Sequence, residues 1–458
     1  MTSKRNMRTG FVPVRNLSRL SGVVAALLAT APFGLASTPA FAAQPAQAQP
    51  ADASINEFYA ARAGAPVWTE SGRPNAAGQA LLGLLASAQA DGLNPARYRS
   101  PALAGALQAA QSPKRKVAAR AARDAELLLS RAYVDYARDL RAAPAAGMEF
   151  FDPSLRPVAP PARTLLSMAA AAPSLPTFIR EMRWMNPAYA QLRQALIANA
   201  DPDKREMLQL NLARARVLPG RTDRFVVVNA AAQRLDMFDG GKLVDSMRVV
   251  VGKQKDNSRT PMLASSIRLA NLNPYWNVPP DLAAERIAPF VVKSGAKYLK
   301  QHHYEVLSDW SPDASPVDPA TIDWQGVADG KVEVRVRQLP FRGNSLGKVK
   351  FNFPNPYGVY LHDTPDKQLL TEDTRLFSGG CIRLEDAARF GEWLFGHELT
   401  TASSDPELPV PLDRPVPVYV TYMTAEPTGS TITYFNDVYG WDAERLAQIH
   451  GGGVRAGN

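Results

Sequence analysis

The sequence predicts an α+β multidomain protein. A helical scaffold occupies the N-terminal half, and a mostly antiparallel, β-rich domain with one long insertion follows it. Three observations carry this. Apolar residues recur at spacings of three and four across residues 54–218, the helical period. From Arg224 onward the period becomes two, and strand-like runs succeed one another without helices between them. Between Asn271 and Gly330 the strand pattern lapses. That stretch is too long for a plain connection inside a compact domain and reads as a lid or binding insertion.

Taken in order, residues 1–42 carry Lys4, Arg5, Arg8, Arg15 and Arg19, no acidic residue, the apolar run GVVAALLATAPFGLA and a closing AFA. A basic start, a short apolar core and an A-x-A site make a secretory signal peptide, with cleavage after Ala42. The core is too short for a spanning helix. Export places the mature chain in the periplasm, or on an inner-membrane anchor if the signal is retained. Removing those five cations lowers the formal charge from +9 to +4, too small an excess to argue for nucleic acid. Residues 43–53, AQPAQAQPADA, form a low-complexity linker.

Within the scaffold, residues 54–218, Ala125, Leu128, Ala132, Tyr136 and Leu140 fall on one helix face. A second helix runs through Tyr189, Leu192, Leu196 and Ile197, and a third covers Met207 to Val217. No polar cluster there has catalytic spacing. The β-rich domain, residues 219–450, contains RFVVVNA, RLDMFD, KLVDSMRVVVG, KVEVRVRQL, KVKFNF, GVYLH and VPVYVTYM. In Val332–Arg337 each valine is expected inward and each charge outward. Asp239-Gly240-Gly241 is hairpin chemistry. The insertion, residues 271–330, opens with NPYWNVPP, continues through a helix-like stretch from Leu282 to Lys300 and ends in WSPDASPVDP. Its aromatic residues Tyr275, Trp276, Tyr298 and Trp310 favour a binding role. Residues 451–458 read as a frayed tail.

The chain has one cysteine, Cys381, in LFSGGCIRL. An exported protein meets oxidising conditions, where cysteines usually pair. A lone cysteine leaves an intermolecular bridge, an inert buried thiol or a working nucleophile. The neighbours favour the last. Ser378-Gly379-Gly380 lets the backbone turn sharply and approach a substrate. The amides of Gly380 and Cys381 are placed to stabilise an oxyanion. Arg383 points to the same side as Cys381 in an extended chain, to support a thiolate or a substrate carboxylate. His362, nineteen residues earlier at a strand end in VYLHDTP, is the candidate activating imidazole.

The stretch HDTPDKQLLTEDTRLFSGGCIRL resembles the signature of the L,D-transpeptidases, the YkuD domain family. VVVGKQKDNSRTP resembles that family's V-G-K…T-P stretch. NPYWNVPP, GNSLGKVKFNFPN, PVPVYVTYMTA and FYAARAGAPVWT resemble its YcbB-like branch. The resemblance implies a cysteine acyltransferase that acts on peptidoglycan stem peptides, with no metal and no cofactor. Cys381 would be the nucleophile and His362 the base. Asp363 would orient the imidazole, Gly380 would serve the oxyanion, and Ser378 and Arg383 would support. Tyr275, Trp276, Asn277 and Asn344 are the candidate substrate contacts of a capping lid over 271–330. A thioester acyl-enzyme would then yield 3-3 cross-links between diamino acids. The alternatives are 1-3 cross-links from the first L-alanine, L,D-carboxypeptidase or hydrolase activity, and a non-catalytic wall-binding scaffold. A carbapenem is expected to acylate Cys381. Two departures stand out. There is no room for the separate peptidoglycan-binding module between MNPAYAQLRQAL and LNLARARVLPG. Gly379 stands where many relatives carry His or Ser.

Overall fold

The computed structural model describes residues 51–142, 146–220 and 224–452. The signal peptide and most of the linker fall outside these residues. The last three linker residues begin the first helix, α1 (Ala51–Ala61). Among the described residues no helix is long and apolar enough to cross a membrane.

After α1 come a two-residue ladder, β1 (Thr69–Glu70) with β2 (Arg73–Pro74), and the helices α2 (Ala76–Ala86), α3 (Pro101–Ala109) and α4 (Arg115–Ala142). The edge strand β3 (Glu149–Phe150) follows, then α5 (Ala162–Ala170), α6 (Leu175–Arg180), α7 (Pro187–Ala198) and α8 (Pro202–Arg216). Asn75, Ser100, Asn186 and Asp201 cap the N-termini of α2, α3, α7 and α8 by accepting from main-chain amides, which satisfies otherwise orphaned donors. α4 is the spine. It buries Ala125, Leu129, Ala132, Tyr133, Tyr136 and Leu140. Leu128, expected on that face, is only partly buried, and Leu129 is fully covered instead. α4 is packed by α1, α2, α3 and α5, so its apolar face is broader than one line of side chains. On α7, Tyr189, Leu192 and Leu196 are buried, while Ile197 faces solvent.

Two carboxylates are buried in this helical part, and both are well supplied with donors. Glu126 accepts from the Tyr59 hydroxyl (2.6 Å), the Thr69 hydroxyl (2.7 Å) and the amides of Val67 and Trp68. Asp91 accepts from the hydroxyls of Tyr136 (2.7 Å) and Tyr189 (2.8 Å) and from Arg193 Nε (2.8 Å).

The second part opens with β4 (Phe225–Asn229), β5 (Arg234–Asp239), β6 (Lys242–Gly252) and β7 (Leu263–Leu272). The β5–β6 hairpin turns through Gly240 and Gly241, both at positive φ (56° and 71°), the geometry of a tight hairpin turn that favours glycine. β7 is absent from the strand-like runs read above. It is rich in small residues, because its two faces are pressed between the scaffold core (Ala264) and the sheet's own core (Leu263, Ile267, Ala270).

The insertion then folds as a small unit of its own. It comprises β8 (Trp276–Val278), α9 (Pro280–Arg286), α10 (Ala288–Ser294), α11 (Lys297–Gln301), β9 (Tyr304–Leu307), β10 (Pro316–Val317), α12 (Trp324–Ala328) and β11 (Arg335–Gln338). Its antiparallel sheet has the order β10-β9-β11-β8. Its core holds Val278, Ala283, Ile287, Val291, Leu299, Val306, Val334 and Val336. The single helix-like stretch read from Leu282 to Lys300 is therefore three short helices. Breaks fall at Ile287, just before Pro289, and at Gly295 (φ +69°). The strand read in KVEVRVRQL is regular only from Arg335, and it belongs to this small sheet. Val332 is turned out to solvent because Lys331 and Val332 bond back to the Gly326 carbonyl at the end of α12.

The chain returns through β12 (Val349–Asn352), β13 (Leu361–His362), β14 (Leu376–Ser378), β15 (Ile382–Leu384) and α13 (Ala387–Phe395). It ends with β16 (Leu408–Thr421), the hairpin β17 (Ala425–Thr428) and β18 (Thr431–Tyr434), and α14 (Trp441–Gly452). α14 takes in the first two residues read as tail, and residues 453–458 lie outside the described residues. The main sheet runs β12-β13-β15-β6-β5-β4-β16-β7, and β7 also pairs with β12, so the order closes on itself. β3 is added beside β7 and β14 beside β6. The pairs β13–β15, β4–β16, β3–β7 and β6–β14 are parallel, and the rest are antiparallel. Phe225, Val227, Tyr419 and Met423 from this sheet join the scaffold core. Asn211 of α8 exchanges two 2.8 Å hydrogen bonds with Thr424, so the two parts share both apolar and polar contacts.

Candidate active site

The parallel pair β13–β15 sets the site. Leu361 lies opposite Ile382 and His362 opposite Arg383, and the Ile382 amide donates to the Tyr360 carbonyl at 3.0 Å. Leu361, Ile382 and Leu384 are sealed in the core. Alternation then puts Tyr360, His362, Cys381 and Arg383 together on the other face. The Tyr360 and His362 rings meet edge to face, 5.6 Å between centroids.

Cys381 begins β15 at the end of a tightly braced loop. The Ser378 hydroxyl donates to the Cys381 carbonyl (2.6 Å) and accepts from the Gly380 amide (3.1 Å). Gly380 sits at φ +123°, a conformation open to glycine and strained for any other residue. Behind the loop, the Thr260 hydroxyl donates to the Gly380 carbonyl (2.8 Å) and accepts from the Gly252 amide (2.9 Å). The Lys253 amide donates to the Ser378 carbonyl (3.1 Å), and the Tyr439 hydroxyl to the Gly252 carbonyl (2.8 Å). The V-G-K…T-P stretch thus acts as a buttress. A Cβ on Gly252 would come within 1.8 Å of the Ser258 carbonyl oxygen, so only glycine fits there.

The Cys381 thiol faces the Gly358 carbonyl at 3.6 Å. Burial pushes its pKa up, and hydrogen bonds from the Tyr360 amide and hydroxyl oppose that. Tyr360 was not singled out in the sequence. Counting back two from His362 in VYLH would have found it, since period two places both on one face. The buried His362 ring meets the Asp363 carbonyl through Nδ1 at 2.5 Å. A carbonyl oxygen can only accept, so Nδ1 carries the proton and Nε2 is the basic nitrogen. Burial, aided by the charge on Arg383, lowers the His362 pKa to about 3. The imidazole is therefore neutral across the physiological range. The Asp363 carboxylate is turned to the Lys348 amide (3.0 Å) and Lys367 Nζ (2.8 Å), so its contact with the imidazole runs through the main chain.

Three expectations need correction. The Gly380 amide, expected to serve an oxyanion, is taken by Ser378 Oγ. Asn344, expected to touch substrate, is fully buried. Its Nδ2 donates to the carbonyls of Pro274 (3.1 Å) and Leu339 (3.0 Å), and its Oδ1 accepts from Leu346 (2.7 Å), so it locks a loop. Trp276 is partly buried against the insertion core, with its ring 6.3 Å from that of Tyr304. Tyr275 lies under the Arg337 guanidinium (4.2 Å), and Asn277 is exposed on β8 opposite Arg337. None of the contacts described for these four reaches Cys381 or His362. The insertion touches the site through α9 instead. A Cβ on Gly379 would meet Leu282 Cδ1 at 3.5 Å, so Leu282 lies over the loop. A cavity of about 630 Å³ includes Asp363, Lys367 and Glu385 but neither Cys381 nor His362, so it is not the thiol's own pocket.

Residues 223–417 match the model of the YkuD L,D-transpeptidase catalytic domain, and residues 53–196 match that of the Scaffold domain. A Haemophilus influenzae protein named "Putative L,D-transpeptidase" is 31% identical over 285 residues, which take in 60% of this chain and 56% of that protein. The chain thus aligns with little more than half the length of that curated relative. Two solved structures show weaker likeness. One, described as the Ldtfm–avibactam carbamoyl enzyme, is 14% identical over 45% of this chain and 51% of its own, with a TM-score of 0.22. The other, an L,D-transpeptidase from Mycobacterium smegmatis, is 13% identical over 43% and 58%, with the same TM-score.

Proposed function

We propose that this chain, which carries a YkuD catalytic domain behind a Scaffold domain, is an exported peptidoglycan L,D-transpeptidase that forms 3-3 cross-links through a Cys381 thioester. The carrying observation is the shared face of β13 and β15, where a neutral His362 with a free Nε2 lone pair accompanies the Cys381 thiol.

At rest both partners are uncharged, because burial disfavours thiolate and imidazolium alike. Nε2 takes the thiol proton as Sγ attacks the carbonyl of the L-to-D bond after the diamino acid of a donor stem. The tetrahedral oxyanion is met by the Cys381 amide and the Tyr360 hydroxyl, since the Gly380 amide is occupied. Nε2 then gives its proton to the departing D-alanine nitrogen, and the C–N bond breaks to leave a thioester. The acceptor's amine attacks that thioester and loses its proton through Nε2, and the thiol is restored. The thioester keeps the acyl group activated, so no nucleotide is consumed. The insertion acts as the lid, and its Leu282 over Gly379 supports that role.

The test is incubation of the full mature chain and a Cys381→Ala variant with purified muropeptides, with products read by mass spectrometry. Dimers joined between two diamino acids, made only by the parent protein, are expected. Dimers through the first L-alanine would replace 3-3 by 1-3 transfer, and shortened monomers would indicate hydrolysis. Equal products from the Cys381→Ala variant would sink the reading. Incubation with a carbapenem is expected to add its mass to Cys381.

A further inference from the structure

The lid brings a second cation to the cysteine that neither its own strand nor the motif supplies. Leu282 and Arg286 lie four residues apart on α9, hence on one helix face. Leu282 already rests over Gly379, which directs Arg286 toward the same loop. Among the described residues no hydrogen-bond or ion-pair partner accompanies Arg286. Below it, Arg383 is largely buried, with one long contact to the half-exposed Asp366 carboxylate at 3.4 Å. Its Nε is buried and without a hydrogen-bond partner. Burial lowers the Arg383 pKa despite Asp366, and the nearby charge of Arg286 lowers it further. Two guanidiniums held close with one weak counter-ion cost free energy. A bound anion would remove that cost.

We propose that Arg286 of the lid and Arg383 of the cysteine strand together bind the α-carboxylate of the D-residue that leaves the scissile bond. This rests on the transpeptidase reading above. The chemistry of the substrate selects this group. In a stem peptide the D-alanine after the diamino acid is terminal, so its carboxylate is free. The D-glutamate after the first L-alanine is linked through its side chain, so its α-carboxylate is free as well. Both L-to-D bonds therefore place a carboxylate on the carbon that bears the leaving nitrogen. An L-to-L bond within a protein presents an amide carbonyl there. A paired-arginine site beside the thiol reads that difference directly, because a guanidinium grips a carboxylate through two parallel hydrogen bonds. Since one arginine comes from the lid, such a carboxylate also holds the lid over the thiol.

Binding to the full chain carrying Cys381→Ala tests this without any turnover. The probes are the tetrapeptide ending in D-alanine, its C-terminal amide, and the peptide amidated at the D-glutamate α-carboxylate. The terminal acid is expected to bind about tenfold or more tighter than its amide. That ratio is expected to fall to about twofold or less when Arg286→Gln is added, and to recover in part with Arg286→Lys. A loss confined to the D-glutamate amide would keep the arginine pair and overturn the 3-3 assignment. Equal binding of all three probes, or an acid-to-amide ratio unchanged in Arg286→Gln, would overturn the pair. Turnover by the parent protein is read separately, so failure of the transpeptidase reading is seen as missing Cys381-dependent products.

Discussion

The scaffold and the catalytic sheet both bury charged or titratable groups, and they treat them in opposite ways. In the scaffold, Asp91 and Glu126 are surrounded by hydroxyls, main-chain amides and, for Asp91, the guanidinium of Arg193. In the catalytic sheet, Arg383 keeps a bare Nε, and His362 and Cys381 are held in their uncharged forms. Satisfied burial fixes a fold, because no proton or ligand is needed to complete it. Unsatisfied burial stores a demand that a substrate can meet. The contrast predicts that mutations in the two regions separate activity from stability.

The largest effect is expected at His362. His362→Ala should reduce acylation of Cys381 by about 10²- to 10⁴-fold, the usual worth of a general base. Thermal stability should change much less than activity. Rates are read by mass shift of the protein with a stem-peptide donor, and melting by circular dichroism. An acylation rate within about tenfold of the parent would break the comparison from the catalytic side.

Next is Asp91→Ala in the scaffold. Removing one partner of a buried ion pair leaves Arg193 uncompensated and should cost about 3–5 kcal/mol of stability. The acylation rate per folded molecule should stay at the parent value. A stability loss below about 1 kcal/mol, measured by urea unfolding, would show that this network is not structural.

Between these lies the braced loop. Gly380→Ala forces a side chain into φ +123°, which should cost on the order of 1–3 kcal/mol. The strain is relieved only by moving the Ser378–Cys381 turn, so acylation should fall by more than the stability loss alone explains. A variant as active and as stable as the parent would show that the loop is less constrained than its bonds to Ser378 and Thr260 imply.

These sites were unevenly legible in the sequence. Cys381, His362 and Arg383 stood out because rare residue types fell in a short, glycine-flanked pattern. The β5–β6 hairpin was equally plain from Gly240-Gly241. β7 was hidden because a strand packed on both faces can use alanine and serine in place of β-branched residues. The small sheet of the insertion was hidden because its strands are short and pair across long separations, as β8 does with β11. The Gly380 amide and Asn344 were misjudged for a common reason. A residue's type shows what it can bond, and only the fold shows whether a neighbour such as Ser378 or Leu339 has already taken that capacity. Arg286 carried no local signal at all, since its place beside Arg383 exists only once α9 lies over Gly379.

The smallest expected effect is the response to acid, and it sharpens the comparison most. An imidazole of ordinary pKa, near 6.5, would be almost wholly protonated at pH 4.5, and a general-base rate would fall about 100-fold. Burial holds the His362 pKa to about 3, so the ring stays neutral and the acylation rate of folded protein should change by less than about twofold between pH 7 and 4.5. Acylation must be read alone, because a protonated acceptor amine would slow the second step whatever the histidine does. Stability carries the opposite signature. The folded pKa lies below the unfolded value, so the unfolded chain binds the extra proton. The contribution of His362 to stability is therefore complete above about pH 6.5 and is lost as the pH falls toward 3, by up to about 1.4 kcal/mol per unit. His362→Gln, which cannot titrate, should flatten that part of the stability curve. An acylation profile falling with a midpoint near 6.5 would mean that the imidazole is solvated in the working enzyme, and that the catalytic sheet does not bury its base unsatisfied.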